Sequence, residues 1–568
     1  MDNIVFLILR RMRRPLITLT LVYSISVLGL VLIPGQDADG NLWHMDFFHA
    51  FYFVSYMSTT IGFGEIPYAF TDAQRLWVTL SMYAGVIAWL YAFGTILTLL
   101  QDKTFQQARA ESKLARKIRN LTEPFYLICG YGETGSVLVR GLTDCCQHVV
   151  VIEIDEQRSH LVRLESLRDY VPVLHGDAEK PLHLQEAGLE HPLCRAVVAV
   201  TSSNEVNLKI AITSKLLHPD ITVICRSDSH DVEKNMASFG TDYIFDPYDT
   251  FATYLDTALR VPCLYLLQTW LISGNEEQEL DEPVYPPKEG HWIVCGYGEF
   301  GKAVYERLKN EGIEVKVIEA DPEKMGAPEE GVIEGRGTEA DTLLEANIEQ
   351  ASGLIAGTNN DANNLSIVVT ARDLNPELFT IVRQNHSENS AIIDAADADM
   401  VMQPSKIIAD KIRVLLGTPM LYQFISRAYN EQNDWACELI SRISALVGEH
   451  VPRLEEITID QNYAQAIVNT INRDETVLLG DLLRDPWHRD NELNCIVLML
   501  ERQDEHILLP SPETEIKKDD RLLVCTGRQG FTRLHWNLQH DDNLSYVRTG
   551  QVVKRGWLWR KFSKKMKS

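Results

Sequence analysis

Long uncharged apolar runs occupy only the first hundred residues of this chain. Leu16 to Ile33 and Leu76 to Leu100 carry no charge over 18 and 25 residues, long enough to cross a hydrocarbon layer as helices. Between them Trp43 to Thr59 is aromatic-rich, polar at its start and too short for a third crossing. It predicts a re-entrant helix over 46–59, with Asp46 near its N-terminus. From Phe125 the pattern changes to short apolar strands alternating with amphipathic helices, which predicts parallel doubly wound sheets. Beyond Trp435 the segments Leu454 to Ile459, Cys495 to Leu500 and Arg521 to Cys525 read as strands of a smaller lobe.

Basic residues orient the apolar pair. Arg10, Arg11, Arg13 and Arg14 precede the first run, Lys103, Arg109, Lys113, Arg116, Lys117 and Arg119 follow the second, and Arg75 alone lies between. This asymmetry places both termini on the cytoplasmic side of a cell (inner) membrane. A cleaved signal peptide is disfavoured, because a second span follows and no small-residue cleavage pattern is present.

The soluble portion repeats itself. Phe125 to Cys129 runs into Gly130-Tyr131-Gly132-Glu133-Thr134-Gly135, and Val149 to Ile152 ends at Glu153. His291 to Cys295 runs into Gly296-Tyr297-Gly298-Glu299-Phe300-Gly301, and Val315 to Ile318 ends at Glu319. Glycine turn and terminal acid are both displaced by 166 residues, and in each copy the acid lies 23 positions after the first glycine. A strand, a G-x-G-x-x-G turn opening a helix, and an acid at that distance form the dinucleotide fingerprint. The glycines admit a phosphate, the helix N-terminus presents amides to it, and Glu153 or Glu319 accepts from a ribose hydroxyl. A carboxylate there disfavours a 2′-phosphate, so NAD(H) or an adenine nucleotide (ADP, ATP) fits better than NADP. Gly176-Asp177-Ala178 parallels Gly335-Arg336-Gly337, Thr201 parallels Thr358, and Arg226 parallels Arg383. Arg336 in place of the aspartate points to unlike ligands at the two sites.

The net charge of −25 over 568 residues disfavours nucleic acid as a partner, since phosphates would be repelled, and none is expected. Ten cysteines without a C-x-x-C pair indicate neither a zinc site nor a disulfide framework. Acid-rich Glu276 to Glu282 reads as solvated linker; a Ca²⁺ site is possible between lobes but is not located. Val552 to Ser568 carries seven basic residues with Trp557 and Trp559 and no acid. It reads as a solvated tail, or as a contact for anionic lipid.

Thr60-Ile61-Gly62-Phe63-Gly64-Glu65, set between the re-entrant helix and the second span, resembles the potassium-channel filter signature T-V-G-Y-G-D. The resemblance implies that four copies replace the hydration shell of K⁺ with carbonyl oxygens of Thr60, Ile61, Gly62 and Phe63 and the Thr60 hydroxyl. Three departures bear on selectivity: Ile for Val, Phe for Tyr, and Glu for Asp. Phe63 removes a phenolic hydrogen bond behind the filter, and Glu65 moves the outer carboxylate by one methylene. In related channels a glycine about twenty residues past the filter is a bending point, which Gly85 matches; close helix packing is the other reading of Gly85.

The duplicated unit resembles regulator-of-potassium-conductance (RCK) domains of the Trk/Ktr nucleotide-binding type. The resemblance covers about Pro124 to Leu271 and His291 to Ser426. The fold class expected is a membrane α-helical pore domain of two transmembrane helices plus a pore helix, then two α/β Rossmann-like RCK domains and a small α+β C-terminal lobe. The expected plan is a basic N-terminus at 1–15 and a pore domain at 16–100, with spans at 16–33 and 76–100. A linker follows at 101–123, a first RCK domain at 124–274, a linker at 275–290 and a second nucleotide-binding lobe at 291–434. Its C-terminal lobe occupies 435–540 and a basic tail 541–568. The resemblance implies a homotetramer in the bilayer whose ring of eight RCK domains gates the pore on nucleotide binding. Two other classes share parts of this plan: a regulatory component of a potassium uptake system, which would lack a filter, and a membrane-tethered NAD-dependent oxidoreductase. For the latter no proton-transfer constellation is evident, so no enzymatic activity is expected.

Overall fold

The computed structural model describes residues 2–102, 114–273, 279–328, 330–503, 505–527 and 530–551. The chain divides at Asn120/Leu121 into two units.

The first unit holds an outer helix, Asp2–Leu32, a pore helix, Phe47–Ser58, and an inner helix, Asp72–Gln101. A two-stranded hairpin, β1 (Gly35–Gln36) and β2 (Leu42–Trp43), joins the first two. Segments Arg10–Leu32 and Asp72–Gln101 are long and apolar enough to cross a membrane. The outer helix starts well before Leu16, so residues 2–15 of the basic segment are its first half rather than a separate arm. Pro15 lies inside it, where one missing backbone donor kinks or weakens a helix without ending it. Asp46 caps the pore helix by accepting from the His49 N–H at 2.7 Å. Thr71 and Gln74 form a reciprocal capping box at the inner helix start. Val27, Leu30, Met45, Phe53, Val54 and Tyr56 form the apolar centre of the unit. Trp77 crosses the outer helix at Gly29, and its indole N–H donates to the Ser26 carbonyl at 3.1 Å.

The second unit contains two six-stranded parallel sheets. The first comprises β3 (Phe125–Cys129), β4 (His148–Glu153), β5 (Val173–His175), β6 (Cys194–Ala199), β7 (Thr222–Arg226) and β8 (Tyr243–Phe245), ordered β5-β4-β3-β6-β7-β8. The second comprises β9 (His291–Cys295), β10 (Glu314–Glu319), β11 (Val332–Glu334), β12 (Ala351–Ala356), β13 (Phe379–Arg383) and β14 (Met400–Met402), ordered β11-β10-β9-β12-β13-β14. Both orders reverse direction beside the strand that carries the glycine turn, which is where ligands bind in open α/β sheets.

Each domain lends the other the helix that follows its last parallel strand. Phe251, Leu255 and Leu259, on Pro247–Arg260 after β8, pack with Phe300, Val304 and Leu308 of the second glycine-turn helix, Glu299–Asn310. Reciprocally, Ile408, Ile412 and Leu415, on Pro404–Gly417 after β14, pack with Leu138 and Leu142 of the first glycine-turn helix, Glu133–Asp144. Each nucleotide turn is therefore braced by the other domain.

The C-terminal lobe is an antiparallel sheet of β15 (Arg453–Thr458), β16 (Cys495–Arg502), β17 (Glu505–Leu508) and β18 (Arg521–Thr526), ordered β15-β18-β16-β17. One cluster on it contains Leu498 and Leu523 with Trp270, Phe424 and Leu439; another contains Leu500 and Leu522 with Ile467, Leu534 and Leu544. Three expectations change here. The basic tail does not start at 541: Asp541–Thr549 is a helix whose Leu544 and Val547 are fully buried, because their spacing gives it one apolar face. Residues 552–568 lie outside the described residues, as do 103–113 of the first linker. The second linker is not merely solvated: the Leu280 N–H donates to the Glu449 carbonyl at 2.7 Å, while 274–278 lie outside the described residues. Finally, Cys263 and Cys437 form a disulfide across 174 residues, with Cα atoms 5.2 Å apart. Two helices bring them together, which spacing along the chain could not reveal.

Candidate functional site

The filter continues directly from the pore helix. The Thr60 N–H donates to the Met57 carbonyl at 3.1 Å and the Ile61 N–H to the Tyr56 carbonyl at 3.0 Å, so helix end and filter share one hydrogen-bonded turn. Thr60, Gly62 and Gly64 have φ of 61°, 66° and 100°, whereas Ile61 and Phe63 stay in the ordinary half of the map. Alternating handedness turns successive carbonyls to one side of the strand, the arrangement a cation-coordinating column requires. Glycine carries the positive φ at two of the three positions without penalty.

Two side chains behind and beside the filter were not picked out from the sequence. Tyr56 is buried, its ring meets Phe63 edge to face at 5.4 Å between centroids, and its hydroxyl donates to the Gly64 carbonyl at 2.5 Å. Glu65 is gripped by Arg75, whose Nε donates to Oε1 at 2.9 Å and Nη2 to Oε2 at 3.2 Å; the Phe70 N–H donates to Oε2 at 2.9 Å. An aromatic in a pore helix reads as packing, and an arginine ten residues away reads as a flanking charge, so neither signalled this role.

Gly85 sits against the pore helix. A Cβ there would lie 2.7 Å from the Ser58 hydroxyl oxygen, which is buried without a hydrogen-bond partner. Gly85 is thus closely packed, within a helix that continues unbroken to Gln101. Gly94 faces open space.

The nucleotide turns are near copies. Gly130 and Gly296 have φ of 102° and 95°. A Cβ on Gly135 or Gly301 would stand 2.0 Å from the carbonyl oxygen of Gly130 or Gly296, so the third glycine is fixed by helix-to-strand packing. The middle glycine differs: a Cβ on Gly132 would meet only Arg158 Nη1 at 3.5 Å, and on Gly298 only Met325 Cε at 3.8 Å. Among the described residues nothing demands glycine there, whereas a phosphate lying on the helix N-terminus would. The residues present therefore fit a dinucleotide.

Glu153 accepts from the Tyr131 and Asp155 N–H groups at 2.5 and 2.8 Å; Glu319 accepts from Tyr297 and Ala320 at 2.6 and 2.8 Å. The acids expected at the ribose thus also tie the glycine turn to the second strand. Thr201 and Thr358 each hydrogen-bond a buried asparagine, Asn207 or Asn364, at 2.7 and 2.6 Å. Those asparagines donate onward to the Arg226 and Arg383 carbonyls at 3.0 and 2.8 Å, joining adjacent strand ends. Neither asparagine was singled out from the sequence. Gly296, Gly298, Glu319, Arg336 and Thr358 line a cavity of about 270 Å³, so the second set converges on one opening. Asp177 accepts from the Glu179 N–H at 3.0 Å, and Ala178 is buried beside it.

The two arginines have parted in role. Arg226 reaches Thr134 in the first glycine-turn helix at 3.4 Å. Arg383 instead donates to the Tyr248 hydroxyl at 3.0 Å and to Asn359 at 2.8 Å, and lies over the Tyr248 ring at 4.9 Å. Burial pushes its guanidinium pKa below the ordinary arginine value. Glu133 accepts from the Ser387 hydroxyl at 2.7 Å, a contact from the second domain onto the first turn. Among the described residues, His230, Glu233 and Asp246 are the side chains close enough to share a cation; they are far in sequence from the acid-rich linker. Asp246 meanwhile caps Pro247–Arg260, and burial pushes its carboxyl up to about 6.

Residues 16–102 match the ion channel family, and 126–247 and 292–404 each match the TrkA-N domain. Together with the filter, these matches define the class: a membrane potassium channel whose pore domain is followed by two TrkA-N regulatory domains. The chain is 28% identical over 245 residues to potassium channel protein 1 of Methanocaldococcus jannaschii, covering 43% of this chain and 72% of that one. It is 22% identical over 467 residues to the Trk system potassium uptake protein TrkA homolog of Archaeoglobus fulgidus, covering 70% of this chain and 96% of that one. Among solved structures it resembles the GsuK channel bound to NAD, with a TM-score of 0.46 at 16% identity over 94% of this chain and 99% of that one.

Proposed function

We propose that four copies of this chain surround one K⁺-conducting filter and that nucleotide binding to the TrkA-N domains sets its open probability. The observation that carries the reading is the alternating handedness at Thr60, Gly62 and Gly64, which aligns carbonyls as a dehydrated cation needs. One chain supplies a quarter of such a column, so closure needs a fourfold assembly. Eight TrkA-N domains would then lie on the cytoplasmic side with both termini, as the basic flanks dictate. NAD(H) or ADP/ATP acts as ligand rather than reactant, and it opens the pore only as far as it binds the open ring better than the closed one. Opening would move the inner helix past the pore helix near Gly85. Ca²⁺ is the further effector to test.

The experiment is K⁺ flux from proteoliposomes titrated with NAD⁺, NADH, ADP, ATP and Ca²⁺. Gly62→Asp should abolish flux, and Gly132→Ala or Gly298→Ala should remove the nucleotide response while leaving flux intact. Retained flux in Gly62→Asp overturns the channel reading. Turnover of nicotinamide absorbance with any added substrate overturns the ligand-only role.

A further inference from the structure

We infer that Tyr56 and Arg75 are positioning residues for ion selectivity, clamping the outer end of the filter from two sides and replacing the hydroxyl that Phe63 lacks. The inference rests on the potassium-channel reading above and names which side chains set the strength of that filter.

Both the size of the carbonyl cage and the number of carbonyls that reach the ion depend on how the filter strand is held, and carbonyls repelling one another across an axis need restraint from behind. Phe63 can restrain the strand by packing but cannot donate a hydrogen bond. Its ring lies edge to face on Tyr56, and the Tyr56 hydroxyl passes beyond it to the Gly64 carbonyl. That carbonyl is thereby turned toward the pore helix, which leaves Phe63 as the outermost residue whose carbonyl can join the column. Tyr56 has little freedom: it is 5% exposed and contacts Phe53 and Tyr52 edge to face at 5.1 and 5.4 Å. Phe53 in turn lies 4.9 Å from Phe70. The aromatic chain therefore runs from the pore helix to the far side of the filter loop.

The second side of the clamp starts one residue later. Glu65 accepts two hydrogen bonds from Arg75 and one from the Phe70 backbone, so its carboxylate ties filter end, return loop and inner helix together. Planar guanidinium and carboxylate meet in the two-pronged geometry that restricts rotation as well as distance. The pair also neutralises Arg75, the one Lys or Arg between Ile33 and Leu76, so the mouth does not present an unpaired cation to entering K⁺. Gly64, whose φ of 100° marks the loop's least restricted backbone, lies between the two anchors and is held from both flanks. Tyr56 and Arg75 act through the backbone they hold and do not touch the ion.

The test is the reversal potential of the full-length channel in planar bilayers with K⁺ on one side and Na⁺ on the other, together with current survival when K⁺ is withdrawn. Tyr56→Phe removes one oxygen and keeps the ring contacts; it should raise relative Na⁺ permeability by at least about fivefold, the scale of one lost hydrogen bond, and speed current loss in low K⁺. Tyr56→Phe/Phe63→Tyr returns a phenol to the filter and should recover part of that selectivity, which a merely structural defect would not. Arg75→Gln frees Glu65 without touching the pore helix and should shift selectivity in the same direction; it decides the matter if Tyr56→Phe fails to assemble. Wild-type selectivity in both single variants overturns the inference and leaves the channel reading standing. A wild-type protein that passes no K⁺ overturns the channel reading and the inference with it.

Discussion

The first and third positions of each nucleotide turn are glycine for reasons internal to the fold, and the middle one for a reason outside it. That difference can be measured. In Gly135→Ala the new methyl would stand 2.0 Å from the Gly130 carbonyl oxygen and 3.0 Å from its carbon, both backbone atoms that cannot rotate away. Restoring a contact of 3.0 Å requires the helix Glu133–Asp144 to retreat by about 1 Å from β3, and overpacking of this kind costs about 1–3 kcal/mol. In Gly132→Ala the methyl meets only Arg158 Nη1 at 3.5 Å, with φ of −81° and ψ of −158°, open to any residue. Its stability cost is below about 1 kcal/mol, since alanine is only a poorer N-cap than glycine. Saturating nucleotide should stabilise the wild type by about 2.7 kcal/mol at a hundredfold excess over Kd, and Gly132→Ala should lose that gain. Thermal unfolding of the detergent-solubilised full chain, with and without NAD⁺ or ADP, reads both effects. If Gly132→Ala unfolds as early as Gly135→Ala, or keeps the full nucleotide shift, the division of roles among the glycines is wrong.

Other substitutions separate packing from chemistry. Gly85→Ala should destabilise the pore unit by about 1–3 kcal/mol through its clash with the Ser58 hydroxyl, and Ser58→Ala should restore part of the loss; Gly94→Ala, facing open space, should cost nothing measurable in the same unfolding assay. Leu544→Ala should cost about 2–5 kcal/mol, because Leu544 is fully buried in the C-terminal lobe; an unchanged unfolding midpoint would return 541–549 to the tail. Burial raises the Asp246 carboxyl from 3.8 to about 6, so the protonated form is favoured by folding. Its contribution to stability is full below the unfolded pKa and is lost as pH rises through about 6. Asp246→Asn keeps an acceptor at the helix cap and should flatten that part of the stability profile; an unaltered slope of unfolding free energy between those pH values would refute the assignment.

The legible parts were those in which local spacing and chemistry coincide. Asp46 and Thr59 bracket the pore helix as its caps, matching the span read from an aromatic run with a polar start. The two glycine turns follow β3 and β9, and both sheets share one strand order, as the 166-residue displacement implies. What escaped was contact across sequence distance. Tyr56 looks like any pore-helix aromatic until the filter folds back over it, and Ser387 gives no hint of its bond to Glu133, 254 positions away. Cys263 and Cys437 are two among ten cysteines until their helices meet. The helix at 541–549 reads as tail because basic residues dominate the sequence after it, although its own Leu544 and Val547 have the spacing of a buried face.

Arg383 carries one more implication, for how this chain can change over time. Its counterpart Arg226 stays beside the first glycine turn, where it can follow whatever ligand that turn comes to accept. Arg383 is mortar between Tyr248 and Phe300, so its replacement would take a hydrogen bond and a cationic contact from a tyrosine that follows the other domain's last strand. Two positions that correspond across the duplication thus carry unequal constraint: a change at the first alters contacts at its own glycine turn, while a change at the second also disturbs Tyr248.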